Sequence, residues 1–452
     1  MDISEAAHYL EERDLDFVRF EQTDLHGMSR SKTVPASHFS TFAKRGLNFF
    51  GGLLGLDLQA GVAPGTGYMD ERRFQDQLLR PSLDTIGPVP WMGRTARVIG
   101  EPCWYDGTPA QAGPRWLLRQ MLSRLEGMGY LVLSGFEYEV YIVDAESRQP
   151  VFDGIQIFWT LRNSWDPIFM TDLLDSMTAA GVDIITENAE YGPGQLEINY
   201  APATGVAAAD KAFTFKNGLK EMAQQYGYMA SFMTKPYADG SASGCHYHHS
   251  LLRVDGGENA FHDPDDPDGL SRLARHWIGG QIAHARGLTG LVSPTVNCAK
   301  RYRLYSFAPM NATWGFEDRT AAIRIKGLRG EDTHVENRTP GAASNPYLVA
   351  AAVLAAGIDG ITRELEPPRP TEGIAYTNET AAPLPTTLDE SLTALEEDTA
   401  LQEYLGHEFM QLFLAVKRHE IAKAREAVEE YGTEEWPNTV TDWERQNLFE
   451  YL

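Results

Sequence analysis

A chain of 452 residues exceeds what one hydrophobic core sustains, so two or three domains are expected, and 43% hydrophobic with 23% charged residues is an ordinary globular composition. The formal charge of −24 repels nucleic acid and anionic lipid, which excludes both as expected partners. No run approaches the roughly 20 apolar residues of a membrane span, and three scattered cysteines (Cys103, Cys245, Cys298) make no disulfide framework, so a cytoplasmic setting is expected.

In chain order, the acidic start at residues 1–14 reads as helix and carries no targeting pattern. Phe17–Phe20 alternates as a strand, Asp24–Gly27 is turn chemistry, and Lys32–Val34 resumes the strand. A helix is predicted from Pro35 through Lys44, stopped by Gly46. Glycines crowd residues 50–67 and predict long loops, after which Thr95–Ile99 closes a β-rich stretch. The turn-rich segment Trp104–Pro109 suggests a boundary, giving units 1–104 and 105–452. Beyond it the periods predict a helix at Pro114–Leu125, a strand at Leu131–Asp144 and a helix at Ile168–Ala180. Helices are also predicted at 346–364, 388–397, 401–429 and 441–451. The pattern is α+β, a small β-rich domain before a larger one.

Four strands carry chemistry on one face. In Gly135–Ile142, successive side chains alternate, so Glu137 and Glu139 share a face while Phe136, Tyr138, Val140 and Ile142 take the other. Two carboxylates side by side above an apolar floor repel unless a cation lies between them. Glu190 precedes a Gly-Pro-Gly turn, and Gln195, Glu197 and Asn199 then share a face. His246, His248 and Ser250 form a third row, and His334, Glu336 and Arg338 a fourth. Each row alone could be a solvated strand face. Together, five glutamates and one histidine (Glu137, Glu139, Glu190, Glu197, Glu336, His246) form an oxygen-rich set suited to Mg²⁺ or Mn²⁺. Arg301, Arg319, Arg324 and Arg338 are dense for so acidic a chain, and guanidinium beside metal suits phosphoryl transfer.

These motifs resemble those of the glutamine synthetase superfamily, in order and over nearly the whole chain. E-x-E matches Glu137 and Glu139, and a glutamate with G-Q-x-E matches Glu190 and Gly194–Glu197. H-x-H-x-S matches His246–Ser250, N-x-x-K-R matches Asn297–Arg301, and R-x-x-x-x-R-I matches Arg319–Ile325. Glu336 and Arg338, ahead of Asn345-Pro346-Tyr347-Leu348, complete the set. The resemblance implies a β-grasp-like N-terminal domain and a catalytic domain of antiparallel strands flanked by helices. It also implies funnel-shaped sites at subunit interfaces and homo-oligomeric rings, commonly dodecamers.

By position the resemblance further implies that Glu139, Glu190 and Glu197 hold one metal, and Glu137, His246 and Glu336 the metal nearer the nucleotide. Arg301 and Arg338, with Gln195, Ser241 and Ala242, would bind the acid. Arg319 and Arg324 would stabilise the transferred phosphoryl group, and Ser250, His248 and Arg324 would contact ATP. The expected reaction is ATP-driven ligation of glutamate with an amine through a γ-glutamyl phosphate.

The sequence departs from the family at the amine. A flap segment P-G-Y-E-A-P reads Leu304–Pro309, with Phe307 at the glutamate, and D-G-S-S falls near Phe50–Leu53, with Phe50 at the aspartate. Rings at both places solvate a small cation poorly and pack an organic amine well, so a primary organic amine is expected, with ammonia as the alternative. N-G-x-G-M-H reads Ser241–His246, which leaves a related γ-carboxylate acid open beside glutamate. The opening residues 17–32 also resemble the lengsin branch, which has no known synthetase activity, so a non-catalytic ring protein is the competing class.

Overall fold

The structure, a computed structural model, describes residues 1–154, 157–327 and 330–452. The chain opens with α1 (Ile3–Glu12), started by a capping box between Asp2 and Glu5. Then come β1 (Phe17–Thr23), β2 (Ser29–Pro35), α2 (Phe39–Arg45), β3 (Leu47–Phe50), β4 (Asp76–Pro81), the short β5 (Gly87–Pro88) and β6 (Thr95–Cys103). The helix expected from Pro35 begins later, because residues 36–38 form a 3₁₀ turn, but it stops at Gly46 as expected. The strands make a sheet in the order β2-β1-β6-β4-β3, with β1 and β6 parallel. Val18, Phe20, Phe39, Leu79 and Val98 fill one face of it, a β-grasp-like arrangement.

The larger part begins with α3 (Pro114–Gly127) and β7 (Tyr130–Asp144), followed by α4 (Thr160–Asn163), α5 (Pro167–Ala179), β8 (Ile184–Ala189), β9 (Gln195–Tyr200), β10 (Ala203–Thr204) and α6 (Ala207–Gln225). Next are β11 (Tyr228–Ser231), β12 (Cys245–Arg253), α7 (Arg272–Ala283), α8 (Ala285–Val292), β13 (Trp314–Phe316), β14 (Ile323–Lys326) and β15 (His334–Asn337). The C-terminal part is helical: α9 (Pro346–Thr362), α10 (Leu388–Glu397), α11 (Thr399–Leu405), α12 (His407–Ala427) and α13 (Asp442–Leu448). The single helix expected over 401–429 is two, because Gly406 sits at φ +84° and ends α11.

Among the described residues the second sheet runs β13-β14-β15-β12-β7-β9-β8, antiparallel except for β13 with β14. Its lower face is aromatic. Phe136 packs on Tyr247 at 4.8 Å between ring centres, and Tyr138 lies against Phe232 and Phe215, the latter on α6. Phe136, Tyr138, Val140 and Ile142 are all buried, as the alternation of β7 requires. That buried floor fixes which face the carboxylates occupy, since a one-residue slip would put them in the core. No described helix is long and apolar enough to cross a membrane.

Candidate active site

Register assembles the site. Across β7 and β12, Glu137 faces His246, and across β7 and β9, Glu139 faces Glu197. Across β12 and β15, His248 faces Glu336, and across β15 and β14, Glu336 faces Arg324. Directly opposed side chains on one face of a sheet are within contact range, so strands far apart in sequence place their polar rows side by side. The turn bringing Glu190 to Glu197 depends on Gly194, which has φ +69° and where a Cβ would lie 2.5 Å from the carbonyl of Ile142. Gly244 leaves room in the same way: a Cβ there would meet Arg301 Nη2 at 2.7 Å.

These rows open into a cavity of about 300 Å³. Glu137, Glu139, Glu190, Glu197 and His246 line it together with Arg301, Arg319, Arg324 and Arg338. Ser241, Ala242 and Phe307 also line it, whereas Glu336 is buried just behind, 1% exposed. Gln195 lies beneath the surface, its amide donating to Ala242 O and Ser243 Oγ, both at 3.1 Å. His248 and Ser250 line an adjoining cavity of about 480 Å³, which shares Glu137 and Lys326 with the first. Phe50 is not brought in by its own chain. It ends β3 and stacks on Phe74, in the turn before β4, so any part it takes requires a second protomer.

Electrostatics separates the carboxylates into two groups. Burial and the neighbouring charge of Glu139 push Glu190 up to about 8. Burial, Glu137, Glu139 and Glu190 push Glu197 up to about 9, and burial raises Glu139. Burial acts on Glu137 and Glu336 in the same sense but is overcome. His246, hydrogen-bonded to Glu137, and His248, 3.5 Å from it, hold that carboxyl well below the usual carboxylate range, and Arg338 with both histidines holds Glu336 at about 2.

His246 is itself pushed down to about 4 by burial and by Arg338, so it is neutral near pH 7. Its Nε2 lies 3.1 Å from the donor Arg301 Nη2 and must accept. The proton therefore sits on Nδ1, 2.7 Å from Glu137 Oε1 and 3.5 Å from Glu336 Oε1.

A divalent cation fits this donor set. Glu137, His248 and Glu336 offer ligand atoms within 4.8 Å of one another, and His248 Nε2 is buried without a hydrogen-bond partner. His248, expected at the nucleotide, thus also reaches the carboxylates, and His246 can exchange its Nδ1 proton for a cation at the same place. The raised group (Glu139, Glu190, Glu197) is a set of acids kept protonated only by mutual repulsion and burial, which a cation reverses. On the cationic side, the buried Nε atoms of Arg324 and Arg338 lack partners, as donors awaiting an anion would.

This gives a signed prediction. Glu190 and Glu197 carry folded values near 8 and 9 against 4.5, so the metal-free protein loses stability as pH rises through that window, where the unfolded chain is already ionised. A cation replaces those protons. The rise in melting temperature on adding Mn²⁺ should therefore be larger at about pH 8.5 than at about pH 6. Calorimetry with chelator and with Mn²⁺ reads this directly, and a shift independent of pH would mean that these acids are ionised without metal.

The flap between Tyr302 and Ala308 forms another wall. Tyr305 and Phe307 both adopt left-handed backbone, φ 58° and 56°, unusual for bulky residues. Arg338 Nη2 holds the segment by donating to Phe307 O at 3.0 Å, and Ser306 Oγ donates to Arg301 O at 3.0 Å. The Phe307 ring stacks on Tyr191, 5.8 Å between centres. Ile157, Phe158, Tyr191, Ser306 and Lys326 also line the cavity, and the sequence reading assigns none of them a role. Lys326 was legible, since it lies two residues beyond Arg324 on the same strand face; the others come from loops with no period.

Comparison with known proteins agrees with this arrangement. Residues 111–436 match the glutamine synthetase catalytic domain. Human lengsin is 34% identical over 92% of this chain and 82% of its own length. The glutamate–isopropylamine ligase of a Pseudomonas species is 33% identical over 93% and 94%. A solved GmaS/ADP complex superposes with a TM-score of 0.84 at 28% identity, covering 98% of both chains. With its strands in register, its carboxylate and arginine rows facing one cavity and these likenesses over almost its full length, the chain belongs to the glutamine synthetase family and is an ATP-dependent carbon–nitrogen ligase.

Proposed function

We propose that the chain joins a primary organic amine to the γ-carboxylate of glutamate, using ATP, through a γ-glutamyl phosphate. The observation that carries this reading is the mixed lining of the cavity. Carboxylates and arginines line it together, and so do the rings of Phe307, stacked on Tyr191, and of Phe158. Units 1–104 and 105–452, and a ring of protomers in which Phe50 of one chain approaches the site of the next, belong to the same reading.

In it, Arg301 and Arg338 hold the acid's carboxylates, each fixed by a backbone contact: Arg301 Nη1 to Arg338 O at 2.9 Å, and Arg338 Nη2 to Phe307 O. Gln195 sets Ala242, and the Tyr141 hydroxyl sets Ser241, behind the acid. His248 and Ser250 hold the nucleotide in the adjoining cavity, and Arg319, Arg324 and Lys326 meet the phosphoryl group as its charge spreads. Mg²⁺ or Mn²⁺, held by Glu139, Glu190 and Glu197 and by Glu137, His246 and Glu336, supplies further charge neutralisation when bound. The flap excludes water, and its rings orient the alkyl part of the amine beside the activated carbonyl. No ring can solvate an ammonium ion as a carboxylate does, which favours the larger nucleophile.

Steady-state kinetics with a panel of amines tests the reading. An alkylamine should give the highest kcat/KM, and ammonia in first place would overturn it. Phe307→Ala should raise KM for the best alkylamine by about tenfold while leaving KM for ATP unchanged.

A further inference from the structure

Between the small sheet and the catalytic helices lies a cavity of about 660 Å³ that shares no lining residue with the reaction site. Arg97 of β6 lines it and is 8% exposed. Its Nη1 donates to Thr214 Oγ1 and its Nη2 to Ala180 O at 3.3 Å, but its Nε has no partner. The acids that act on it most strongly, Glu21 and Asp210, are committed elsewhere. Glu21 accepts from Arg19 Nε at 2.8 Å, and Asp210 from Arg115 at 2.9 and 3.0 Å and from Tyr347 at 2.6 Å. A buried guanidinium without its own anion is strongly destabilising.

Two further observations point the same way. Arg115 and Arg119 also line this cavity but are committed to Asp210 and Glu101, and the lining carboxylates, Asp84 and Asp210, are both paired, Asp84 with the terminal amine at 2.7 Å, which leaves Arg97 and Lys211 as the cations without an ion-pair partner among the described residues. The pocket is thus locally basic in a chain of charge −24. The 19-residue helix α6 also starts at its edge, at Val206 and Ala207, with no side chain capping its first turn. Free N–H groups and the helix dipole favour an anion there. Ile86, Ile99 and Val182 supply apolar wall.

We propose that this cavity is a second ligand site, separate from the reaction centre, for a small organic oxyanion. A carboxylate or phosphoryl group would engage Arg97, the start of α6 and Lys211, with a short carbon skeleton against Ile86 and Val182. Occupancy would tie β6 of the N-terminal sheet to the end of α5 and the start of α6, and would stabilise the folded chain by mass action.

Isothermal titration of the full-length protein with succinate, and separately with inorganic phosphate, tests this. Saturable binding of at least one is expected, weakened about tenfold or more by Arg97→Met. Lys211→Met, at a partly exposed side chain whose Nζ makes a single 3.4 Å contact with Ala201 O, should weaken it by about threefold and keeps the test open should Arg97→Met fail to fold. Mn²⁺ titrations should be unchanged in both variants. Binding of one probe with the other silent supports the site and identifies the head group. Affinity untouched by either substitution, or no saturable heat from either probe, overturns it.

Discussion

Arg319→Gln is expected to lower kcat by about a thousandfold or more while leaving the melting temperature within about 2 °C of the parent. The two halves of that expectation come from one contrast among the arginines. Arg324 donates to Glu336 at 3.1 Å and to Glu317 at 2.6 Å, and Arg338 pairs with Glu336 and holds the flap. Replacing either removes one of the two guanidinium groups that hold the buried Glu336 carboxylate, so lost activity could be lost folding. Arg319 is exposed, on the loop between β13 and β14, yet lines the reaction cavity. Its removal leaves no buried partner behind. A guanidinium placed to meet charge that develops only in the transition state is worth a factor of about 10³–10⁵ elsewhere in phosphoryl transfer. Assays at saturating ATP, acid and amine isolate kcat, and a fall of less than tenfold would remove Arg319 from that role.

The sequence carried the centre of this site because strand chemistry has a period of two. Glu137 with Glu139, Gln195 with Glu197, and His246 with His248 each announce a shared face, and the apolar residues between them announce the floor. What no period announces is register. That Glu139 meets Glu197 and Glu336 meets both His248 and Arg324 is set by pairings between strands as far apart in the chain as residues 248 and 336. The family motifs stood in for that missing information. The amine wall shows the limit from the other side. Phe307 was found because a motif spans it, but Phe158 and Tyr191 reach the cavity from loops, where neither period nor turn chemistry says which way a ring points. Phe50 is a third case: its position in one chain says nothing of what it meets on another. Gly406 was legible and overlooked, since a glycine within a helical pattern often marks an end.

Glu444→Ala is expected to destabilise the protein by about 3–5 kcal/mol and, where it still folds, to raise KM for the acid substrate. Glu444 on α13 is fully buried and accepts from Lys300 Nζ at 2.8 Å, from Asn297 Nδ2 at 2.9 Å and from Thr441 N at 2.8 Å. Lys300 is 1% exposed, donates also to Thr439 O at 2.8 Å, and sits 3.2 Å from the centre of the Trp436 ring. Removing the carboxylate leaves a buried ammonium facing a void, and burial already pulls Lys300 down to about 8 with the partner in place. The double variant Lys300→Met with Glu444→Leu should be less destabilised than Glu444→Ala, because an apolar pair leaves neither charge stranded.

The kinetic half follows from position. Lys300 and Arg301 share one 3₁₀ turn, residues 298–301, and α13 anchors that turn from outside the cavity. Loosening it disturbs the aim of Arg301 without touching Arg324 on β14 or Arg319 on the loop before it, so KM for the acid should rise before kcat falls. If calorimetry shows the loss of stability while KM for the acid stays unchanged, Glu444 only staples the C-terminal helix. A rise in that KM, restored toward the parent value by Glu444→Asp, would instead make it the residue that positions the acid-binding arginine.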